Sequence, residues 1–390
     1  MQKTNIAKYI ILILITPFFL SGCYDRFELD NLAYVIAIGA DVGSGENLNI
    51  SYQIAKPLKI TGRESSEGKD TYTTYTVSAP SLNAGNAIVN SQLSKELNLS
   101  QIKVILYSEE LARTEIKGHI NELVSHLNIR PKTSVAICKG KAEDFLNDID
   151  PKLEANPARY YELLFSSHNY TNLTAGSELI HFYTSTEALD RSAFTTYVSV
   201  EEKKDRKDAK MEGLAVFEGT NMVGVLEQEL VLPHLILTND LDKSSYTVKD
   251  FNDEKRVISV DIDQFKSPKI KVTLNGDTPH IECDVEISAY LVSSGTSINF
   301  YEDENKNRLK DELEKKLKDD INKYLEKTTK ELKSDIAGIG RFAKSNFLTW
   351  DEFEKYDWLS KYPNSSYNVN VNVDLTTSQI ISHFVPDASE

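Results

Sequence analysis

The chain has 390 residues and a formal charge of −15, from 44 Lys and Arg against 59 Asp and Glu. A hydrophobic content of 40% excludes a disordered tail, and so acidic a body has no general counterion-release drive toward nucleic acid. It is repelled by anionic lipid as a whole, so membrane attachment needs a separate cause. Three cysteines in this length exclude a disulfide-built scaffold, and two or three domains are expected.

The first residues supply that cause. Lys3 and Lys8 precede an apolar run from Tyr9 to Leu20, about a dozen residues long. A spanning helix needs about 20, so the run reads as the core of a signal peptide. It ends in Leu20-Ser21-Gly22-Cys23, which resembles a bacterial lipobox. The expectation is a leader over residues 1–22 that is cleaved, leaving Cys23 as an acylated first residue. Two or more chains hold a protein stably on a bilayer without a transmembrane helix.

Leu32–Gly39 then reads as a strand, with Leu48–Ala55 as its hairpin partner across a Gly-rich turn. Residues 56–69 are polar and loop-like, and Thr71–Ser78 is a further strand. Helical spacing predicts a helix over Asn83–Asn98 with a stripe of Ala84, Ala87, Ile88, Leu93 and Leu97. A strand follows at Ile102–Tyr107. A helix over Glu109–Leu127 has its stripe at Ile116, Ile120, Leu123 or Val124, and Leu127. Ser134–Cys138 is a strand, Ala142–Leu146 starts a short helix, Pro157–Leu164 and Ala175–Ser185 are helical, and Phe194–Val200 is extended. Glu201–Lys210 carries nine charges in ten residues and reads as a solvated loop or linker.

Beyond it, Gly213–Glu218 and Asn221–Leu226 form a hairpin across Gly219-Thr220, and Lys269–Leu274 is a strand. Ile281, Cys283, Val285, Ile287, Ala289 and Leu291 alternate strictly, as in a half-buried strand with Cys283 facing inward. A long amphipathic helix from about Asn305 to Ile336 carries Leu309, Leu313, Leu317, Ile321, Leu325, Leu332 and Ile336 on one face. Val369, Val371, Val373 and Leu375 alternate again. The expected fold class is α+β, with mixed, largely antiparallel sheets packed with helices in two or three domains. The expected division is the leader over 1–22, an N-terminal α/β domain over 23–200, itself one unit or two subdomains, a charged linker over 201–212, and a C-terminal α+β domain over 213–390.

Catalytic motifs are scarce. Gly338-Ile339-Gly340-Arg341-Phe342-Ala343 has a dinucleotide-like spacing, but it follows a helix instead of opening one after a strand. A C-terminal helix stop with glycine in the left-handed region is the expected role. His119, Glu122 and His126 share a helix face but read as a polar surface, and the other histidines show no ligand spacing. Cys138 and Cys283 are expected as core residues. No metal, cofactor or catalytic residue is assigned.

Taken in order, several segments resemble the Ger(x)C family, the C-subunit lipoproteins of bacterial spore germinant receptors. They are Cys23-Tyr24-Asp25-Arg26-Phe27-Glu28-Leu29 with Val35 to Asp41; Gln101 to Val104 with Glu109 to Ala112; Arg130 to Ala136 with Gly140-Lys141-Ala142; Gly213 to Phe217 with Val223 to Leu226; and Ser334 to Gly340 with Trp350 and Trp358. Tyr24 stands where the family usually has Trp, and Gln101 where it often has His. The resemblance implies a non-enzymatic receptor subunit on the outer face of the spore inner membrane. It implies two integral membrane partner subunits, A-type and B-type, a role in nutrient-triggered germination, and contact with lipid through acylated Cys23. The only functional residue it carries over is Cys23. The alternatives are a solute-binding lipoprotein of a transporter, which would show two doubly wound lobes around a cleft, and an envelope hydrolase, which would show a pocket with two carboxylates.

Overall fold

The computed structural model describes residues 29–56, 71–114, 116–126, 128–149, 153–154, 156–167, 171–204, 206–251, 253, 255–294 and 298–377. The expected leader and Cys23 lie outside the described residues, as does all of the expected 56–69 loop except Lys56.

The first half builds one sheet. In chain order its elements are β1 (Leu32–Val42), β2 (Leu48–Ala55), β3 (Tyr72–Ala79), α1 (Leu82–Gln92), β4 (Glu96–Asn98), β5 (Val104–Ser108), α2 (Glu109–Ala112), α3 (Lys117–Ser125), β6 (Ser134–Cys138), α4 (Ala142–Asp148), α5 (Pro157–Phe165), α6 (Leu179–Thr186), β7 (Phe194–Lys203), β8 (Arg206–Glu218) and β9 (Asn221–Glu227). The strand order is β3-β2-β1-β5-β6-β7-β8-β9, with β4 beside the start of β1. β1, β5, β6 and β7 run parallel, and antiparallel hairpin strands flank them on both sides. Parallel strands are buried on both faces. Here one face packs Ile105, Val135 and Ile137 under Val89, Ile120, Leu123 and Phe182. The other packs Val104, Leu106, Ala136 and Cys138 under Phe145, Leu146, Tyr161 and Phe165.

Three expectations change here. Helix α1 ends at Gln92, and Glu96–Asn98 is a strand paired with Leu32–Tyr34. Its buried side is Leu82, Gly85 and Val89, while Ile88 faces outward. Gly85 sets this rotation: a Cβ there would stand 2.5 Å from Tyr52 Oη, whose hydroxyl donates to the Leu82 carbonyl. The expected Glu109–Leu127 helix is two helices. Ser108 caps one turn that Arg113 ends, and Ile116 opens the next helix. Ile116, Ile120 and Leu123 are buried as expected, Val124 is exposed, and Leu127 lies outside the described residues. Finally, Glu201–Lys210 is no loop. β7 and β8 stay paired out to Lys203↔Arg206, making a charged hairpin tip tied by ion pairs such as Lys203–Asp208 at 3.0 Å.

The second half adds α7 (Val231–Thr238), β10 (Lys243–Lys249), β11 (Val257–Asp263), β12 (Lys269–Thr273), β13 (His280–Ser294), α8 (Asp303–Glu326), α9 (Gly340–Ala343), α10 (Trp350–Tyr356), α11 (Trp358–Lys361) and β14 (Ser366–Thr377). β13 is the central strand of a second sheet. β12 and β11 pair antiparallel along its first and second halves, β10 lies outside β11, and β14 runs parallel along the opposite side. The alternation of Val369, Val371, Val373 and Leu375, set within sheets expected to be largely antiparallel, belongs to a parallel strand. It reports one buried face and leaves direction open. The stripe of α8 fills that face with Leu309, Leu313, Leu317, Ile321 and Leu325. Leu332 and Ile336 are buried beyond the regular helix, which opens into a π turn at Lys327–Glu331 and stops at Lys333 with φ 53°.

The same core includes Leu214, Val216 and Leu226 from β8 and β9, so the two sheets share one continuous apolar interior. Gly340 lies where they meet. A Cβ there would stand 2.4 Å from the Asp190 carbonyl oxygen and 2.5 Å from the Trp358 ring. Gly340→Ala should therefore cost about 2–3 kcal/mol, read as a lowered urea midpoint, whereas Gly118→Ala, with open space around it, should not lower the midpoint.

Candidate functional site

The region with the densest set of buried polar contacts is the junction between the sheets, built on Asp335. Its carboxylate accepts the Ile339 N–H at 2.9 Å, the Gly340 N–H at 2.8 Å and the Trp358 indole N–H at 2.8 Å. Its carbonyl accepts the Ser192 N–H at 2.8 Å from the approach to β7. Gly338, at φ 67°, turns the chain between these contacts. The expectation of a left-handed glycine stop holds for Gly338, whereas Gly340 is required for space. Beside this knot, Asp190 pairs with Lys344 and lies 3.5 Å from Arg191. Burial pushes the Asp335 carboxyl up to about 6 against the pull of its three N–H donors. His234 sits under the same junction, its Nδ1 paired with Tyr324 at 3.0 Å, and burial pushes it down to about 3.

Two open grooves flank the junction. One, of about 590 Å³, is lined by Phe182, Arg191, Phe194, Leu235, Gly338 and Arg341. The other, of about 910 Å³, runs along β10. There Lys316 donates to the Thr247 carbonyl at 2.7 Å and stands 4.2 Å over the Tyr246 ring, and Tyr246 donates to Asp320 at 2.6 Å. These contacts occupy the polar groups with one another, which is the chemistry of a packed interface.

The residues singled out from sequence fall as follows. His119 and Glu122 lie on α3 and His126 is its C-cap, in extended conformation; all three are half-buried, not solvated. Glu122 caps α1, accepting the Leu82 and Asn83 N–H groups at 3.0 and 2.7 Å. His119 stacks on Tyr107, and burial lowers its pKa against the pull of Glu122. Among the described residues no group of three His, Cys, Asp or Glu side chains could hold a metal. Cys138 and Cys283 are free, buried in separate cores and pushed up to about 12 by burial. Asp41, unremarked as a site in the sequence, accepts the Ala142 and Glu143 N–H groups at 2.7 and 3.0 Å and caps α4. Gly39 lets that helix approach, its Cβ position lying 3.1 Å from Ala142 and Leu146. Among the described residues no helix is long and apolar enough to cross a membrane.

This architecture, two mixed sheets joined by a buried acid and held by capping carboxylates, defines a class of two-segment α+β proteins. Residues 25–200 match the family described as the spore germination protein N-terminal domain, and residues 212–379 match the spore germination B3/GerAC-like C-terminal family. The chain belongs to the Ger(x)C family of spore germination proteins. It is 20% identical to spore germination protein GerQC of Bacillus cereus, over 95% of this chain and 98% of that protein. It is 23% identical to the putative spore germination protein YfkR of Bacillus subtilis, over 63% of this chain and 65% of that one. It is 30% identical to spore germination protein A3 of Bacillus subtilis, over 38% of this chain and 39% of that one. The matches to YfkR and A3 thus span less than two thirds of those proteins. The crystal structure of the GerBC protein shares the fold, with a TM-score of 0.55 at 16% identity, covering 87% of this chain and 96% of that one.

Two measurements test these assignments. Glu122→Ala should cost about 1–2 kcal/mol by uncapping α1, while added zinc leaves the melting temperature of the unaltered chain unchanged. For Asp335, the folded chain keeps the carboxyl proton between pH 3.8 and about 6 while the unfolded chain releases it. The group's contribution is therefore present in full below that window and lost as pH rises through it. Asp335→Asn should flatten the stability–pH curve between those limits relative to the unaltered chain, measured by urea unfolding.

Proposed function

We propose that this chain is a non-enzymatic lipoprotein subunit of a nutrient germinant receptor, anchored through acylated Cys23 to the outer face of the spore inner membrane. Its partners on this reading are two integral membrane subunits, and its role is in triggering germination. The observation that carries the proposal is the family match over both segments of the chain together with the lipobox at Leu20–Cys23.

The fold agrees with this reading better than with a solute-binding lipoprotein. That alternative requires two doubly wound parallel lobes. The second sheet has its central β13 flanked by antiparallel β11 and β12 and by a single parallel neighbour, β14. Residues of the segments that resemble the family also serve structural ends: Gly39 and Asp41 seat a helix, and Asp335, Gly340 and Trp358 lock the junction.

Cys23→Ala should move the protein from the membrane fraction to the soluble one and weaken the germination response to nutrients. An unchanged membrane fraction would overturn the anchor. Pull-down from detergent-solubilised spore membranes should recover two polytopic partners, and recovery of an ATPase-linked permease would instead favour the transporter reading.

A further inference from the structure

The parallel strands give the first sheet two unlike ends. β1, β5, β6 and β7 all begin at one of them. A short 3-10 turn, Leu29–Asn31, leads into β1 there. Cys23 lies six residues before Leu29, and six residues span at most about 20 Å. An acyl anchor on Cys23 therefore holds the strand-start end of the sheet close to the bilayer.

That end carries a cleft of about 280 Å³ lined by Lys103, Arg130, Lys132, Thr133, Ser166 and Ser177, with Glu162 and Glu178 at its wall. Lys103 lies in front of β5, and Arg130 and Lys132 lie in front of β6, because the loops entering adjacent parallel strands emerge side by side. Lys103 is paired with Glu162 at 2.6 Å. Arg130 and Lys132 are exposed and, among the described residues, form no ion pair within 4.0 Å, although the Arg130 charge acts with Lys103 to lower the Glu162 carboxyl. Ser177 is 3% exposed, yet its Oγ is buried without a hydrogen-bond partner. A buried hydroxyl with unspent hydrogen-bonding capacity, set in a cleft with two exposed cations whose N–H groups make no close ion pair, is the donor set that a phosphate oxygen takes. The rest of the molecule is acidic, with a net charge of −15, so this cationic cleft stands against the overall field.

We propose that the cleft formed by Arg130, Lys132 and Ser177 binds the phosphate of an anionic lipid headgroup and so fixes which end of the protein faces the membrane. The orientation rests on the anchoring proposed above, but the cleft's chemistry is independent of it. An acyl chain limits distance and leaves rotation free. A headgroup contact beside the tether removes that freedom and sets the two grooves of the sheet junction at a defined angle to the bilayer. Repulsion of the acidic body by the same lipids makes a cationic contact at one end the favoured one.

The test uses the chain without its 22-residue leader and with Cys23→Ser, so that no acyl group contributes. Sedimentation with phosphatidylglycerol-containing vesicles should exceed that with pure phosphatidylcholine vesicles and fall with added salt. R130E/K132E should reduce the bound fraction on the order of tenfold, and R130K/K132R should retain it. Both positions are exposed, and an unchanged melting temperature checks that the fold is kept. Equal binding to both vesicle types, or full binding by R130E/K132E, overturns the proposal. Binding of inorganic phosphate that R130E/K132E abolishes, with no binding to phosphatidylglycerol vesicles, overturns the lipid assignment and identifies a free-phosphate site. Acylation of Cys23 is read separately, from the mass of the unaltered protein isolated from membranes, so failure of the anchor and failure of the cleft are distinguishable.

Discussion

The structure depends on one buried carboxylate. Asp335 is fully buried at the end of the long helix, and an isolated charge there would be strongly disfavoured. Its three N–H donors come from a tight turn and from Trp358, so ionisation is bearable only while the turn, the indole and the helix end stay together. The backbone carbonyl of the same residue accepts from Ser192, which leads directly into β7 of the other sheet. Loosening any one of these groups leaves a buried charge underpaired. The junction is thus cooperative, and the sheets are positioned by a polar knot as well as by the apolar core they share.

The same logic explains why glycine recurs at the joints. Gly39 admits α4 against β1, Gly85 admits Tyr52, Gly213 with φ 134° passes its neighbour's backbone, and Gly340 accepts Trp358. Each lies beside a polar group that would otherwise be buried unsatisfied, or on a strand that must approach another closely. Three of the segments that carried the family resemblance contain such joints, at Gly39, Gly213 and Gly340. Their residue identities are dictated by backbone approach and capping. A resemblance built from them therefore reports architecture, and the GerBC structure shares the fold at 16% identity.

How much of this was legible in sequence follows from the range of the interactions. The inward column of β13 and the stripe of α8 could be read because burial on one face writes a period directly into the chain. The face of α1 could not, because Gly85 is selected by a tyrosine on a distant strand and carries no hydrophobic signal of its own. The parallel pairing of β14 was invisible for a related reason: alternation is the same in either direction. Glu201–Lys210 looked like a linker since charge is the usual mark of solvent, yet strands that project into water as a hairpin are equally charged. At the junction, Asp335 and Trp358 stood out as a pattern, but Ser192 is a partner 143 positions away with nothing local to mark it.

The charged hairpin also bears on how the two family segments relate. Matches to the two families meet between residues 200 and 212, but β8, which begins within that interval, pairs with β7, and β9 pairs with β8, so the two strands complete the first sheet. Their inward residues Leu214, Val216 and Leu226 then enter the core of the second sheet. The segment after the boundary therefore supplies strands to the body before it, and the body before it supplies, through Ser192, a hydrogen bond to the knot of the body after it. A division of sequence at this point is not a division of packing. A force applied at one sheet, such as a membrane contact near the starts of β5 and β6, acts on a polar knot and an apolar core that both sheets share. The orientation of one sheet therefore sets that of the other.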